Sequence, residues 1–298
     1  MKLPDFEAWS IFACVVEQKS FTGAAAALGL SKATISKAVT RLEKQVGAPL
    51  FHRTSRRLAL TESGAKLVEH AKAILLEGQA AEEAARDEAS EPVGLVRLAV
   101  PMSFGLKHVA PVIAEFLCVH RGISVDMHLS DAKVDLIGEG FDIGLRIAAL
   151  PDSSLRARKL RDVQTHIVAA PAYLERMGTP RHPAELGEHE CLRYSLLTTP
   201  DLWRFTNAAG EEVAVRPRGR LRANNSDAML HSLRSGHGIA VVPDFIVKED
   251  LAAGTILPIL QDWQPPKVAL HLVTPPGTIR PQRVTALIDY LVMNLGRS

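Results

Sequence analysis

This chain of 298 residues has few cysteines, few aromatic side chains and almost no net charge. Its three cysteines, Cys14, Cys118 and Cys191, are too few and too widely spaced for a disulfide framework. We expect Cys14 to be buried in the first helix. We expect Cys118 and Cys191 to be inert thiols, and a redox pair formed by the two is the alternative. Because the formal net charge is only +2, any charge that attracts a partner must be concentrated locally.

Long apolar runs and secretion signals are also missing. No uninterrupted apolar run reaches the roughly 18 residues of a membrane-spanning helix. The N-terminal segment contains acidic residues and has no small-residue cleavage site after an apolar stretch, unlike a signal peptide. We therefore expect a cytoplasmic protein without a membrane partner. Length alone predicts two or three domains, at roughly 150 residues each.

The motifs of common catalytic sites are absent as well. The sequence has no G-x-S-x-G, H-E-x-x-H, P-loop or G-x-G-x-x-G pattern, so we predict no catalytic residue, no metal site and no cofactor. A zinc site at His182, His189 and Cys191 is the nearest alternative, but its spacing fits no common zinc motif. The chain is therefore predicted not to be an enzyme.

What the sequence does contain is the pattern of a helix-turn-helix near its N-terminus. An alanine-rich run over 21–28 favours a helix, and Gly29 ends it because glycine tolerates the left-handed conformation. Ser31 then supplies the N-cap of a second helix, which ends near Gly47. Two helices joined by about three residues that include a glycine form a helix-turn-helix.

The second helix has an apolar side and a basic side. Its apolar positions recur every three or four residues and predict a core-facing stripe: Ile35, Ala38, Val39, Leu42 and Val46. Two short predicted strands follow, joined by a basic turn, and together they form a wing. We predict that the helix start, its outer face and the wing contact DNA, through Ser31, Lys32, Ala33, Thr34, Ser36, Lys37, Arg41, Arg53, Arg56 and Arg57.

Positive charge is concentrated on this segment. Residues 31–62 hold seven Lys or Arg residues against Glu43 and Glu62. For Lys37, Arg41 and Lys44 taken alone, a solvated helix face is the alternative. Combined with the helix-turn-helix pattern, the local charge predicts binding to the phosphates of double-stranded DNA.

A long helix is predicted next, from Ser63 to about Ala89, with Thr61 as its N-cap. Residues 63–92 hold three basic and seven acidic side chains, so the charge inverts here. A heptad seam of mostly small residues runs along the helix: Leu67, Ala71, Ile74, Gly78, Ala81 and Ala85. We interpret it as a dimerisation helix, because pseudo-palindromic operators require a two-fold protein. A lone amphipathic helix docked on its own domain is the alternative.

From Val93 the pattern changes to alternating strands and helices, with a short helix predicted over 134–138. It predicts an α/β domain with a largely parallel sheet. Ligands of such sheets lie beyond the carboxyl ends of the strands, and helix starts suit a carboxylate or another small anion. For Ser103 and Ser226, simple helix capping is the alternative. The predicted effector contacts are Met102, Ser103, Ser130, Arg146, Ala148, Asn225, Ser226 and Pro243.

With these residues laid out, the chain resembles the LysR-type transcriptional regulators over essentially its full length. One match lies in the effector domain, at Ser130-Asp131, over 134–137, at Gly140-Phe141-Asp142 and at Arg146. The chain departs from the family at Lys19, where glycine is usual. The N-terminal match comprises Ser20-Phe21-Thr22, Ala24-Ala25, Leu28, Ser31-Lys32, Ser36, Leu42-Glu43, Gly47, Leu50-Phe51, Arg53, Leu60-Thr61 and Gly64.

The predicted domains are a winged helix-turn-helix at 1–62, a linker helix at 63–91 and an effector-binding domain at 92–298. The resemblance implies that the last is α/β and hinged like a periplasmic binding protein, with strands crossing near Thr165 and near 267–270. Subdomain I would comprise about 92–164 and 269–298, and subdomain II about 165–268. The resemblance also implies a homotetramer, built as a dimer of dimers, that binds an interrupted inverted repeat near a promoter and responds to a small-molecule co-inducer.

Overall fold

The computed structural model describes residues 3–52, 58–84, 91–149, 155–197, 199–276 and 280–296. The helices are α1 (Phe6–Glu17), α2 (Phe21–Leu28), α3 (Lys32–Val46), α4 (Glu62–Ala84), α5 (Met102–Phe104), α6 (Ala110–Val119), α7 (Pro171–Met177), α8 (Asp227–Arg234), α9 (Asp244–Ala253) and α10 (Gln282–Leu295). A π-helical turn (Gly105–Val109) joins α5 to α6, and a 3₁₀ turn spans Pro183–Gly187.

The strands all lie in the C-terminal two thirds of the described chain. They are β1 (Gly94–Val100), β2 (Ile123–Leu129), β3 (Ile143–Ala148), β4 (Arg156–Val163), β5 (Thr165–Ala169), β6 (Cys191–Tyr194), β7 (Trp203–Asn207), β8 (Glu212–Val215), β9 (Arg222–Ala223), β10 (Ile239–Pro243), β11 (Leu257–Pro258), β12 (Trp263–Gln264) and β13 (Val268–Thr274).

The predicted helix-turn-helix is confirmed, because α2 spans the predicted residues 21–28 and its end and both ends of α3 lie at the predicted caps. Gly29 ends α2 in the left-handed conformation with φ of 64°, and Gly47 ends α3 with φ of 77°. At the start of α3, the Ser31 Oγ accepts a hydrogen bond of 3.1 Å from the Thr34 amide. These local signals therefore fix both ends of the recognition helix.

The apolar side of α3 forms the core of the N-terminal domain. Ile35, Ala38, Val39 and Leu42 are buried and Val46 is partly buried, as predicted. The wing begins and ends in an antiparallel bridge between Phe51 and Leu60, and the His52 amide donates to the Ala59 carbonyl over 2.9 Å. Residues 53–57 lie outside the described residues, and with them the predicted contacts Arg53, Arg56 and Arg57.

Helix α4 starts within a residue of its predicted position, and the Thr61 Oγ1 accepts a hydrogen bond of 3.0 Å from the Gly64 amide. Along the predicted seam, Ala71 is buried in the core of its own N-terminal domain, whereas Gly78 and Ala81 are exposed. The first half of the seam thus packs against its own domain, which was the alternative to a dimerisation helix. The later seam positions Gly78 and Ala81 face solvent, and the predicted extension from 85 to 89, including Ala85, lies outside the described residues.

The C-terminal region contains two five-stranded sheets and one small sheet. The first has the order β2-β1-β3-β13-β4, the second β11-β5-β10-β6-β9, and the third β12-β7-β8. The chain passes from the first sheet to the second at Gln164, between β4 and β5, and returns between Gln264 and Val268. These crossings divide the region into two α/β subdomains with separate cores.

Two details of the α/β prediction were wrong. The sheets are mixed, because half of the pairings in the two large sheets are antiparallel: β3 with β13, β13 with β4, β5 with β10 and β5 with β11. Strands β4, β5 and β13 flank the crossings between subdomains, and they run against their neighbours. No helix forms over 134–138: residues 136–140 form turns, since the Asp135 carboxylate accepts from the Gly138 amide over 3.1 Å and Gly140 is left-handed.

One stretch, Met102–Val119, is long and apolar enough to cross a membrane by length and composition alone. Its apolar side chains Phe104, Val109, Ile113 and Phe116 are buried in the core of the first subdomain. We therefore interpret it as a core helix of that subdomain.

Candidate DNA-binding face and effector cleft

The outer face of α3 is open to solvent. Of the predicted contacts on it, Ser31, Lys32, Ala33, Thr34, Ser36, Lys37 and Arg41 are all exposed. Lys37, Arg41 and Lys44 line a shallow groove on this face together with Ser36 and Thr40. Because the opposite side of α3 is fixed in the core, the lysine side chains project from a rigid support.

Not every polar group on this face is equally available. The Arg41 guanidinium binds both Asp5 and Glu7 at the start of α1, and its Nη2 lies 2.9 Å from the Glu7 Oε2. The Asp5 side chain also caps α1, so Arg41 ties the recognition helix to the first helix. Hydrogen bonding to Arg41 lowers the pKa of Asp5 and keeps it charged. Any phosphate that contacts Arg41 must compete with two carboxylates.

A second predicted contact on α3 is also partly engaged. The Thr34 hydroxyl lies 2.8 Å from the Ser31 hydroxyl, which is the cap of the helix. Lys32 and Lys37, by contrast, form no ion pair with any residue that the structure describes. The free cationic groups of the described helix are therefore its lysines.

The second predicted site lies where the two subdomains meet. The Asn225 Nδ2 in the second subdomain donates to the Ser103 Oγ over 3.1 Å and to the Asp131 Oδ2 over 2.7 Å, both in the first. The remaining Asp131 oxygen accepts from the Met102 amide over 2.9 Å and caps α5. Two predicted effector contacts, Ser103 and Asn225, thus touch each other, and Asp131 completes a bridge across the cleft.

The other predicted effector contacts lie on several elements. Arg146, near the end of β3, donates from its Nη2 to the Val134 carbonyl over 2.7 Å, and burial lowers its pKa. The Ser130 Oγ accepts from the Ala132 amide over 3.2 Å. The structure places Met102 in solvent contact at the start of α5, Ala148 at the end of β3, and Ser226 and Pro243 at the starts of α8 and α9.

Ser103 and Ser226 do not cap the helices at the cleft, which was the alternative to a role in ligand binding. The Ser226 side chain makes no capping hydrogen bond, and the Asn225 Oδ1 accepts from the Ala228 amide over 3.2 Å instead. The start of α5 is likewise capped by Asp131, not by Ser103. The two serine hydroxyls therefore do not serve as helix caps.

Four residues of this region are missing from the predicted contacts: Asp131, Lys107, Asp227 and Tyr194. Asp131 follows Ser130 at a strand end, so its position in the sequence was a usable signal. Lys107 and Asp227 form a salt bridge of 3.2 Å between the subdomains, and no local pattern marked it. Burial, with a contribution from Asp131, also raises the pKa of the half-buried Tyr194, so this phenol stays protonated at neutral pH.

The residues of the rejected zinc alternative have separate partners. The His189 Nδ1 lies 3.1 Å from the Tyr173 hydroxyl, and the His182 Nδ1 accepts from the Ala184 amide over 3.3 Å. The Cys191 thiol is buried and directed at the Leu186 carbonyl, and burial raises its pKa to about 12. Cys118 is exposed on α6, in the other subdomain, and Cys14 is buried as predicted.

A cationic recognition helix joined to a hinged two-subdomain region defines the class of ligand-responsive, DNA-binding regulators. Comparison with known protein families agrees with this class. The model of the bacterial regulatory helix-turn-helix of the lysR family matches residues 6–65, and the model of the LysR substrate-binding domain matches residues 89–296.

Individual relatives match along nearly the whole chain. A transcriptional regulator of Xanthomonas campestris is 39% identical over 288 residues, 96% of this chain and 84% of the relative, and the regulator PtxR of Pseudomonas aeruginosa is 37% identical over 96% of this chain and 91% of its own. The full-length structure of the Vibrio cholerae virulence activator AphB is similar with a TM-score of 0.63 and 28% identity, over 98% of this chain and 99% of that one. The protein belongs to the LysR family of bacterial transcriptional regulators.

Proposed function

We propose that this protein binds an interrupted inverted repeat near a promoter through the exposed face of α3 and the wing, and changes its DNA complex when a small molecule enters the cleft. The observation that carries the proposal is a capped helix whose apolar side packs in the domain core and whose lysines face solvent. In this proposal the protein acts in the cytoplasm as a non-catalytic regulator, and no metal or cofactor takes part.

The DNA contacts divide into two groups. Lys32, Ala33, Ser36 and Lys37 lie at the N-terminal part of α3, the part of a recognition helix that meets base edges. Ser31 and Thr34 fix the start of the helix, and Arg41 contacts the backbone only after exchanging one of its carboxylate partners. The wing arginines Arg53, Arg56 and Arg57 complete the proposed surface as phosphate or minor-groove contacts.

The cleft supports a small-molecule effector. Ser103, Asn225 and Asp131 already join the two subdomains through hydrogen bonds. Met102, Ser130, Arg146, Ala148, Ser226 and Pro243 lie at or near the carboxyl ends of β1, β2, β3, β9 and β10. A ligand that displaces Asn225 must itself donate a hydrogen bond to the partly buried Asp131 carboxylate, because an unpaired acceptor there is costly, whereas the Ser103 hydroxyl can either donate or accept. An effector then shifts the regulator by its differential affinity for the two arrangements.

The proposed organisation is a DNA-binding domain over 1–62, a linker and dimerisation helix over 63–91 and an effector domain over 92–298. Two copies joined through the solvent-facing half of α4 present two recognition helices to an inverted repeat. Two such dimers form the proposed homotetramer.

A salt-dependent binding assay with the DNA upstream of the protein's own gene tests the DNA-binding part. Lys37→Ala removes a charge from the centre of the exposed face, and Lys248→Ala removes the same charge from an exposed position on α9 as a matched control. If Lys37 contacts a base edge, we expect Lys37→Ala to weaken binding by about 1–3 kcal/mol at the affected base pair. If Lys37 contacts a phosphate, we expect the slope of log affinity against log salt to fall by about one. Equal binding by both variants would contradict the assignment.

A reporter driven by the same promoter, in cells grown on a panel of organic acids, tests the effector part. Ser103→Leu places a bulky side chain beside the hydrogen bond between Asn225 and Asp131, whereas Ser103→Ala adds no bulk there. We expect Ser103→Leu to keep basal DNA binding and lose the response, and Ser103→Ala to retain both. If Ser103→Leu loses DNA binding as well, Ser103 has a structural role.

A further inference from the structure

A second concentration of positive charge lies in the second subdomain, distant in sequence from the recognition helix. Residues 213–223 contain four arginines and no acidic residue, in a chain whose formal net charge is only +2. The arginines stand at every second position, and we call them the arginine face: Arg216, Arg218, Arg220 and Arg222. Because successive side chains of an extended segment point to opposite sides, this spacing places all four on one side.

The burial pattern shows that this side faces solvent. All four arginines are exposed, whereas the residues between them are not: Val215 and Pro217 are buried, and Gly219 and Leu221 are half-buried. The segment runs from the end of β8 into β9, which is an edge strand of the second sheet. The arginine face therefore lies along an outer edge of the second subdomain.

The backbone beneath the arginine face is held closely against β6. The Cys191 amide donates to the Arg218 carbonyl over 2.7 Å, and the Arg193 amide donates to the Leu221 carbonyl over 3.0 Å. Between these bonds, Gly219 approaches the Cys191 carbonyl so closely that a Cβ on it would lie 1.9 Å from the oxygen. The arginine side chains therefore project from a fixed support, as the lysines of α3 do.

Three of the four guanidinium groups lack a counter-charge. The Arg220 Nε lies 3.3 Å from the Glu190 Oε1, but Arg216, Arg218 and Arg222 form no ion pair with any residue that the structure describes. Neighbouring arginines at this spacing lie about 6.6 Å apart. That distance is shorter than the screening length of about 8 Å at physiological salt, so the charges repel one another. An anion that pairs with them relieves this repulsion.

The length of the arginine face indicates the kind of anion. It extends over about 20 Å, so no single small anion can reach all four side chains. Duplex DNA presents a phosphate at about every 3.4 Å along each strand, and arginine pairs with phosphate oxygens through two parallel hydrogen bonds. Across 213–223, all of which the structure describes, no large apolar side chain is exposed. The face therefore lacks the apolar centre of a protein interface, which favours DNA over an acidic protein.

We propose that the arginine face is a second DNA-binding surface, which holds the phosphate backbone outside the base pairs read by α3 and does so without regard to sequence. The inference rests on the proposed function, because the recognition helices bring the duplex to the protein. It makes the second subdomain a direct contributor to the affinity for DNA and to its salt dependence. The competing explanation is that the arginines only prevent the edge strand β9 from pairing with another chain.

Salt-dependent binding of the full-length protein to a random-sequence duplex of several helical turns tests this surface. Arg218→Gln combined with Arg222→Gln removes two unpaired charges, and Arg156→Gln combined with Arg158→Gln removes the same charge from exposed positions on β4, an edge strand of the first sheet. We expect the slope of log affinity against log salt to fall by about 0.9 for each arginine replaced in the first pair. The β4 pair, and Arg218→Lys combined with Arg222→Lys, should keep the slope.

Chemical modification locates the contact independently of affinity. We expect the same duplex to protect Arg216, Arg218 and Arg222 from phenylglyoxal, as mapped by mass spectrometry, and to leave Arg158 reactive. Polyglutamate serves as the second polyanion and should protect them less well than DNA. Protection by polyglutamate and not by DNA would overturn the proposal and assign the face to an acidic protein.

The remaining outcomes separate this inference from the proposed function. If the upstream DNA is bound and Lys37→Ala weakens that binding, but the Arg218 and Arg222 variant keeps its slope, the inference fails and the proposed function stands. Self-association of that variant with an unchanged slope would identify the arginines as guards of the strand edge. An equal fall in slope for the β4 pair would mean that net charge and not this face matters. Absence of binding to any duplex would overturn both proposals.

Discussion

The outer face of α3 and the cleft between the subdomains satisfy their polar groups in opposite ways. On α3, Lys32 and Lys37 face solvent without an ion-pair partner among the described residues. In the cleft, Ser103, Asn225 and Asp131 are hydrogen-bonded to one another. The exposed lysines of a surface that binds a large polyanion need no protein partner in the free state, since water solvates them. A cleft for a small ligand begins with internal bonds, and its ligand must replace them.

The largest expected effects come from the two separate cores. Leu42 in α3 and Leu98 in β1 are both fully buried, and replacing either with alanine should cost about 2–5 kcal/mol of unfolding free energy. If the two regions fold separately, Leu42→Ala accelerates amide hydrogen exchange in α1 to α3 and leaves β1 to β3 protected, and Leu98→Ala does the reverse. If either variant accelerates exchange in both regions, the two regions do not unfold separately and the prediction is wrong.

The next effect concerns an ion pair confined to the second subdomain. The Arg234 Nε and Nη2 donate to the two Asp250 oxygens over 2.7 and 2.8 Å, and Asp250 is buried. Because Arg234 is half exposed and solvent screens the pair, we expect Asp250→Asn to cost about 1–3 kcal/mol. Denaturant unfolding at neutral pH measures this cost.

The same pair predicts a pH dependence. The hydrogen bond from Arg234 lowers the Asp250 pKa from its ordinary 3.8, although burial alone would raise it. The stabilisation is therefore fully present above pH 3.8 and is lost as the pH falls toward the lower folded value. The stability difference between the unmodified protein and Asp250→Asn should shrink below pH 3.8. A difference that is constant with pH would refute this origin of the stability.

A smaller effect sharpens the account of the cleft. Asn225→Asp keeps the acceptor for the Ala228 amide but removes the donor and sets a charge against Asp131. Losing two hydrogen bonds should cost about 1–2 kcal/mol and separate the subdomains. Fluorescence energy transfer between dyes on α6 and α8 measures the separation. Asn294→Asp, on the exposed side of α10, is the control and should leave the transfer efficiency unchanged.

The smallest effect has the opposite sign. Lys19 has a φ of 49°, a left-handed conformation that disfavours side chains with a Cβ, at the position where LysR-type regulators usually have glycine. Lys19→Gly relieves that strain but raises the conformational entropy of the unfolded chain. The net effect should be a gain of about 0.5–1 kcal/mol in the free energy of unfolding. Thermal unfolding of the N-terminal domain checks the sign. A lower melting temperature would mean that another Lys19 interaction outweighs the strain.

The recognition helix could be predicted from sequence because its determinants are local. Ser31, Gly29 and Gly47 act within a few residues of the helix ends, and the periodicity of Ile35 and Leu42 lies within a single helix. The resemblance to LysR-type regulators supplied the division of the α/β region into two subdomains.

The remaining features depend on contacts distant in sequence. The bridge from Asn225 to Asp131 joins residues 94 positions apart, and Lys107 meets Asp227 at 120 positions. The mixed sheets arise because β13 returns from the far end of the chain to pair with β3 and β4. The ion pairs of Arg41 with Asp5 and Glu7 were missed because a basic helix face predicts exposure and not the partners that approach it.

The salt dependence of DNA binding tests the central claim most directly. A variant with Lys32, Lys37 and Lys44 all changed to alanine keeps the packed side of α3 and removes its free cations. If each of these lysines neutralises one phosphate, the slope of log affinity against log salt should fall by about 0.9 for every lysine replaced, or by roughly 2.7 for all three. A variant that folds normally and keeps both the affinity and the salt slope of the unmodified protein would contradict the account.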